Sequence, residues 1–282
     1  MAIDSTTADA PLAPWAPQAR SRPFAERFQE VQALARRWFL QRRRERLELA
    51  SSIVLPSIWL VFFGIGLGKI TNPSLVGTSD YTAFMLPGII VFTIVSTGIQ
   101  GALPLLWDKE TGYLLRLMSM PISRSSVLLA RFAFQLALGA VQALLVIAVA
   151  LALGVDIETG VLGVLVVLFT ASLMTIALTA VFAALVYALP GHSMFFALAG
   201  FVTLPLVLLS NAFVPLHAMP TWMEVIARAN PLTYAIQVMR LVVIQGWTAE
   251  VGWSIGVVAA FAAVATAIGV QQFRQQTAER AI

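Results

Sequence analysis

Residues 160–187 read GVLGVLVVLFTASLMTIALTAVFAALVY, an unbroken apolar run with neither a charged side chain nor a proline. A helix crossing a bilayer needs roughly 20 such residues, since only a helix satisfies its own backbone where no water can. The run predicts a spanning helix. Working outward, 51–68, 81–106, 132–153, 193–213 and 252–273 read the same way, and Pro190-Gly191 breaks the chain between 160–187 and 193–213. The expected fold class is therefore an all-α integral membrane protein with six transmembrane helices. Composition agrees: 59% of 282 residues are hydrophobic and 11% charged, against roughly 25% charged in a soluble domain. Mean hydropathy is +0.84. With no cysteine, disulfide frameworks and thiolate metal sites are excluded.

The basic residues set the orientation. Nine arginines precede 51–68, four basic residues follow 81–106 and two lie beyond 252–273; only Lys69, Arg228 and Arg240 fall on the other side. The positive-inside bias then places both ends in the cytoplasm. The sequence pI near 10.0 reflects arginines beside apolar runs, which suit lipid headgroups and not nucleic acid. Residues 1–23 hold Asp4 and Asp9 and no apolar core, and predict a disordered cytoplasmic tail without a signal peptide. Residues 24–49 read as an amphipathic interfacial helix: Phe24, Phe28, Val31, Ala35 and Trp38 recur at helical spacing opposite arginines. Residues 214–246 are too broken by Pro215, Pro220 and Pro231 to span, and predict an external or re-entrant helical hairpin before the last span. A multi-pass protein of the bacterial inner membrane is expected, in contact with membrane lipids.

None of the six stretches carries an ionisable side chain in its core. Proton-driven carriers bind their ion at membrane depth through such groups, so the energy source is expected outside the bilayer. A secondary carrier or channel working without nucleotide is the alternative, because carbonyls and hydroxyls can hold sodium. GIGLGKIT at 64–71 imitates a phosphate loop, but Phe63 stands where its first glycine belongs. Gly64 and Gly68 read instead as a small-residue packing pair. No cofactor is expected on this chain. His192 and His217 stand in loops without acidic neighbours at ligand spacing, so no metal site is expected. Gln135 and Gln142 share one face of 132–153; Ser172, Thr175 and Thr179 share one face of 160–187; Asn211 closes 193–213. These either hydrogen-bond between helices or line a weakly polar translocation path for an amphiphile. The loop 107–131 begins WDKETGYLLRLMSMPISR. Its mixed charges around leucines suit either a helix docked in a partner's groove or an inert interfacial linker.

Several segments together resemble the type-2 permease family of ABC exporters, particularly its drug- and antibiotic-resistance branch. They are LPSIWL at 55–60 with FGIG at 63–66, DKETG at 108–112 through MPISR at 120–124, and SNAFVP at 210–215. Met219-Pro220, NPLTY at 230–234 and Arg240 follow in the family's order. The resemblance implies a permease subunit of an ATP-driven exporter that moves a drug, lipid or glycolipid outward. It implies a homodimer, or close heterodimer, in which each subunit docks a separate ABC ATPase holding ATP and magnesium. Asp108, Glu110, Arg116 and Arg124 are then the coupling residues, with Leu114 and Leu117 as apolar anchors. In the hairpin, Pro215, Pro220, Asn230, Pro231 and Tyr234 carry the match, and Arg240 caps or positions it.

Overall fold

The computed structural model describes residues 24–44, 46–68, 73, 77–78, 80–112 and 124–279. The expected tail at 1–23 and the anchors and coupling residues Leu114, Arg116 and Leu117 lie outside the described residues. Among those described, every regular element is helical. In chain order they are α1 Phe24–Arg44, α2 Arg46–Gly68, α3 Tyr81–Glu110, α4 Arg124–Ala152, α5 Gly160–Ala188, α6 His192–Leu208, α7 Thr221–Ala229, α8 Pro231–Arg240 and α9 Ala249–Glu279. A 3-10 turn at Leu216–Ala218 precedes α7, and a π-turn at Leu241–Gln245 follows α8.

Among the described residues, five helices are long and apolar enough to cross a membrane, with spans in Ala50–Gly68, Tyr81–Glu110, Leu129–Ala152, Gly160–Ala188 and Ala249–Gln272. The sixth expected span, 193–213, is instead the shorter α6, 17 residues long. Pro205 in its last turn cannot donate to the preceding turn. The chain then passes through turns in which the N–H of Leu209 donates to Pro205 O and that of Ser210 to Val207 O.

Other boundaries also differ from those expected. Of the helix expected at 24–49, α1 is described up to Arg44, and Leu47-Glu48-Leu49-Ala50, good helix formers, belong to the helix that runs on into the first span. The loop expected at 107–131 is shorter. Helix α3 continues to Glu110, where the N–H and hydroxyl of Thr111 both donate to Trp107 O and Gly112 turns away at φ 71°. Helix α4 is wound from Arg124.

The surface is apolar where a soluble protein's would be polar. Val161, Phe201 and Trp253 are 78%, 76% and 73% exposed, and α2, α5, α6 and α9 all show such side chains outward. Contiguous apolar exposure on this scale marks a surface made for lipid or for another membrane helix. The helices approach one another through small residues, as membrane helices do where no water drives association. Ala177 of α5 meets Ala262 and Ala265 of α9. A Cβ on Gly269 would stand 2.9 Å from Ala180 O. Gly64 acts likewise: a Cβ there would fall 2.7 Å from the hydroxyl of Thr82 on α3. Helix α8, the second arm of the expected hairpin, packs among α3, α5 and α9 and buries Leu232, Ala235, Ile236, Val238 and Met239. Helix α7 remains on the surface with Trp222 and Val225 exposed.

Candidate functional site

Polar side chains gather at the two ends of α3 and on its face toward α4. At the Glu110 end, Lys109 reaches the C-terminus of α5: its Nζ donates to Val186 O at 2.9 Å and Leu189 O at 2.8 Å. A helix C-terminus offers unpaired carbonyls and partial negative charge, so an ammonium fits there. Glu110 turns to the next helix. Its Oε1 accepts the N–H of His192, the first residue of α6, at 3.1 Å, and its Oε2 pairs with His192 Nδ1. The Trp107 ring lies edge-on to that imidazole, centroids 5.6 Å apart. Two adjacent side chains of opposite sign thus hold both sides of the α5–α6 turn, each matching the dipole of the helix end it meets.

Nearby, Arg131 of α4 is buried. Its Nε donates to Gly101 O at 2.6 Å, its Nη2 donates to the same carbonyl, and its guanidinium lies 4.6 Å from the Trp38 ring centroid. It ties α1, α3 and α4 together. Asp108, half-buried, lies in the field of Arg37 and Arg131.

Higher on the same face, Gln135 Nε2 donates to Thr97 O at 2.8 Å. The Thr97 hydroxyl donates to Gln142 Oε1 at 2.6 Å, and Gln142 Nε2 donates to Ser52 Oγ of α2 at 3.0 Å. The seven-residue spacing of the glutamines therefore brackets one threonine of α3. Ser172 and Thr175 return their hydroxyls to their own helix, at Leu168 O and Ala171 O. Thr175 faces Gly139, where a Cβ would stand 2.8 Å from its hydroxyl oxygen. Thr179 is buried.

At the Tyr81 end, Arg240 is the centre. Its Nη2 donates to Asn211 O at 2.8 Å, with longer contacts to Phe84 O at 3.3 Å and Ala212 O at 3.4 Å. Its guanidinium lies 3.8 Å from the Phe84 ring centroid. Gly88 lets α3 approach, since a Cβ there would be 2.9 Å from Ala212 O. Asn230 joins α8 to α6: its Oδ1 accepts the N–H of Leu232, capping α8, and its Nδ2 donates to Leu206 O of α6 at 2.6 Å. Tyr234 donates to Arg228 O. Beyond α8, the N–H of Glu158 and the hydroxyl of Thr159 donate to Val243 O and Val242 O, which holds the π-turn against the start of α5.

The match to known proteins covers this whole arrangement. The model of the ABC-2 type transporter family matches residues 29–244, from α1 through the π-turn. The chain belongs to the ABC-2 type transporter family. This permease is 36% identical over 222 residues to the putative transport permease ycf38 of Porphyra purpurea, covering 77% of the chain and 75% of that relative. It is 26% identical over 194 residues to the daunorubicin resistance ABC transporter permease protein DrrB1 of Streptomyces coeruleorubidus, covering 69% and 68%. It is also 26% identical over 223 residues to the probable doxorubicin resistance ABC transporter permease protein DrrC of Mycobacterium tuberculosis, covering 77% and 76%.

In the permease the expected residues fall into separate groups. Asp108 and Glu110 share the end of α3, and Arg124 opens α4. Gln135 and Gln142 meet through Thr97, whereas Ser172, Thr175 and Thr179 lie on α5. Asn211 and Arg240 meet beside Phe84, and Asn230 stands at the opposite end of α8. Pro220 and Pro231 precede and open α7 and α8, and Pro215 precedes the 3-10 turn. Sequence reading missed Lys109, Arg131 and His192 as structural partners. Lys109 and Arg131 entered only as positive charge, and the acid that meets His192 is 82 residues away in the chain. The signal available for Lys109 was its place in the last turn of a helix, where a basic side chain can also serve carbonyls.

Proposed function

We propose that this chain is the transmembrane subunit of an ATP-driven ABC exporter that moves a hydrophobic or amphiphilic cargo out of the cytoplasm or inner leaflet. The similarity to permeases named for daunorubicin and doxorubicin resistance carries this reading. The charge-free cores of the long helices support an energy source outside the bilayer. A separate ABC ATPase, with its own ATP and magnesium, docks beside the end of α3, where Asp108 and Glu110 stand and from which the chain leads toward Arg124. Two copies form the working unit. In this reading α6 and the turns that follow it serve as the sixth crossing, both termini are cytoplasmic, and the setting is the bacterial inner membrane. Gln135, Gln142, Ser172, Thr175, Thr179 and Asn211 act first as struts between helices, and the cargo meets the hydroxyl and amide edges they leave.

Reconstitution with and without the ATPase tests the proposal, with daunorubicin as the probe. The purified chain is expected to hydrolyse no ATP, and proteoliposomes should move the probe only when both the ATPase and ATP are present. Nucleotide-independent transport or current from the chain alone would instead favour a carrier or channel.

A further inference from the structure

Helix α6 is weakly held along its length and firmly held at its ends. Of its side chains, Phe195, Ala199 and Val207 are buried, while Met194, Phe196, Phe201, Val202, Leu204 and Leu208 are exposed. Its first residue is gripped by Glu110, through the backbone N–H and the imidazole of His192. Its far end is gripped by Asn230 at Leu206 O, and the turns that follow Leu208 are gripped by Arg240 at Asn211 O. Both grips lead back to α3: Glu110 is its last residue, and Arg240 also contacts Phe84 O near its start. A helix with directional polar bonds at both ends, and few side chains buried by the rest of the chain between them, is built to act as a strut. A displacement at one end then reaches the other without being absorbed by side-chain repacking.

The geometry points to α6 as the transmission strut of the permease, with Glu110 and His192 as its receiving joint and Arg240 as its delivering joint on the re-entrant hairpin. Glu110 and His192 are positioning residues: they touch no cargo, and they pass movement of the α3 end to the hairpin across the protein. This rests on the proposed ABC permease reading. Helix α5 is joined to the same turn by Lys109, but it is packed along its length against α3 and α9. It therefore anchors the turn, and α6 carries the motion.

The test uses the complete permease–ATPase complex in nanodiscs, with one fluorophore on Trp222→Cys of the exposed α7. The chain has no native cysteine to compete. His192→Pro removes both donors to Glu110 while leaving Glu110 in place. Proline is accepted at the first position of a helix, and Gly191 is already extended, at φ 171° and ψ 178°, outside the α region that a following proline disfavours. A non-hydrolysable ATP analogue should shift the fluorescence of the unsubstituted complex. His192→Pro should keep ATPase binding and ATP hydrolysis, yet lose about fivefold or more of that shift, the low end of ordinary coupling between sites. His192→Ala keeps the amide bond and should fall between the two. An undiminished shift in His192→Pro, or in His192→Ala should the proline variant fail to insert, overturns the strut. So does loss of ATPase binding by either variant, which would put His192 in the docking surface. A complex that hydrolyses ATP with no shift at position 222 also overturns it, whereas a chain that binds no ATPase removes the permease reading itself.

Discussion

Arg240 shows how one cation can organise several backbones. Its bonds go to carbonyls of a turn and of α3, with an aromatic face closing over the guanidinium. Charge-assisted bonds of this kind each contribute about 1.5–3 kcal/mol when their loss leaves an acceptor buried. Replacing Arg240 by Ala should therefore lower the thermal unfolding temperature in detergent by several degrees. Lys restores charge but not the planar fork, and should recover only part of the loss. Equal unfolding temperatures for Arg240→Ala and the unsubstituted protein would show that the contacts carry no net weight. The reason Arg240 sits there is visible from its neighbours: Gly88 removes the side chain that would hold Ala212 away from α3.

Between helices, polar and small residues do different work. The bracket of Gln135 and Gln142 around Thr97 fixes the register of α4 on α3 and links Gln142 to Ser52 of α2. Hydrogen bonds between membrane helices average about 0.6 kcal/mol and reach about 1.7. Gln142→Leu should therefore cost about that little, measured by denaturant titration in mixed micelles. The α5–α9 seam depends on backbone proximity, and there the cost is steric. Gly269→Leu must push its helix off Ala180, so it should destabilise by more than Gln142→Leu. If the glutamine variant proves the more damaging of the two, the polar bracket is a greater part of the fold than general energies allow.

For the molecule as a whole, the relevant contrast is between its outward and its inward residues. Apolar side chains face out along α2, α5, α6 and α9, while buried polar groups lie inside, between helices and at helix ends. The arginine bias predicts that α7 and the Tyr81 end of α3 face away from the cytoplasm. Single cysteines at Trp222 and Thr111 test this in sealed cells: an impermeant maleimide should label position 222 directly, and position 111 only after the membrane is opened. The reverse pattern would invert the topology and put the proposed ATPase site at the other end of α3.

The sequence by itself determined that this chain is a helical membrane protein. Long charge-free runs such as 160–187 leave no other solvent in which their backbone could be satisfied. It also determined the family, through motifs spread from α2 to Arg240, and it marked 214–246 as a broken segment through its prolines. Helix α6 was legible as apolar but not as short, because where a proline ends a helix depends on what receives the freed carbonyls. Only the tertiary structure decided that Lys109 and Glu110 close on opposite sides of the α5–α6 turn, that Arg131 is buried beneath Trp38, and that the two glutamines share one threonine. Each of these pairings joins residues at least 30 positions apart, or depends on which face of a helix meets which neighbour. Local periodicity carries no record of such distances; the packing of the small residues that let the helices approach supplies it.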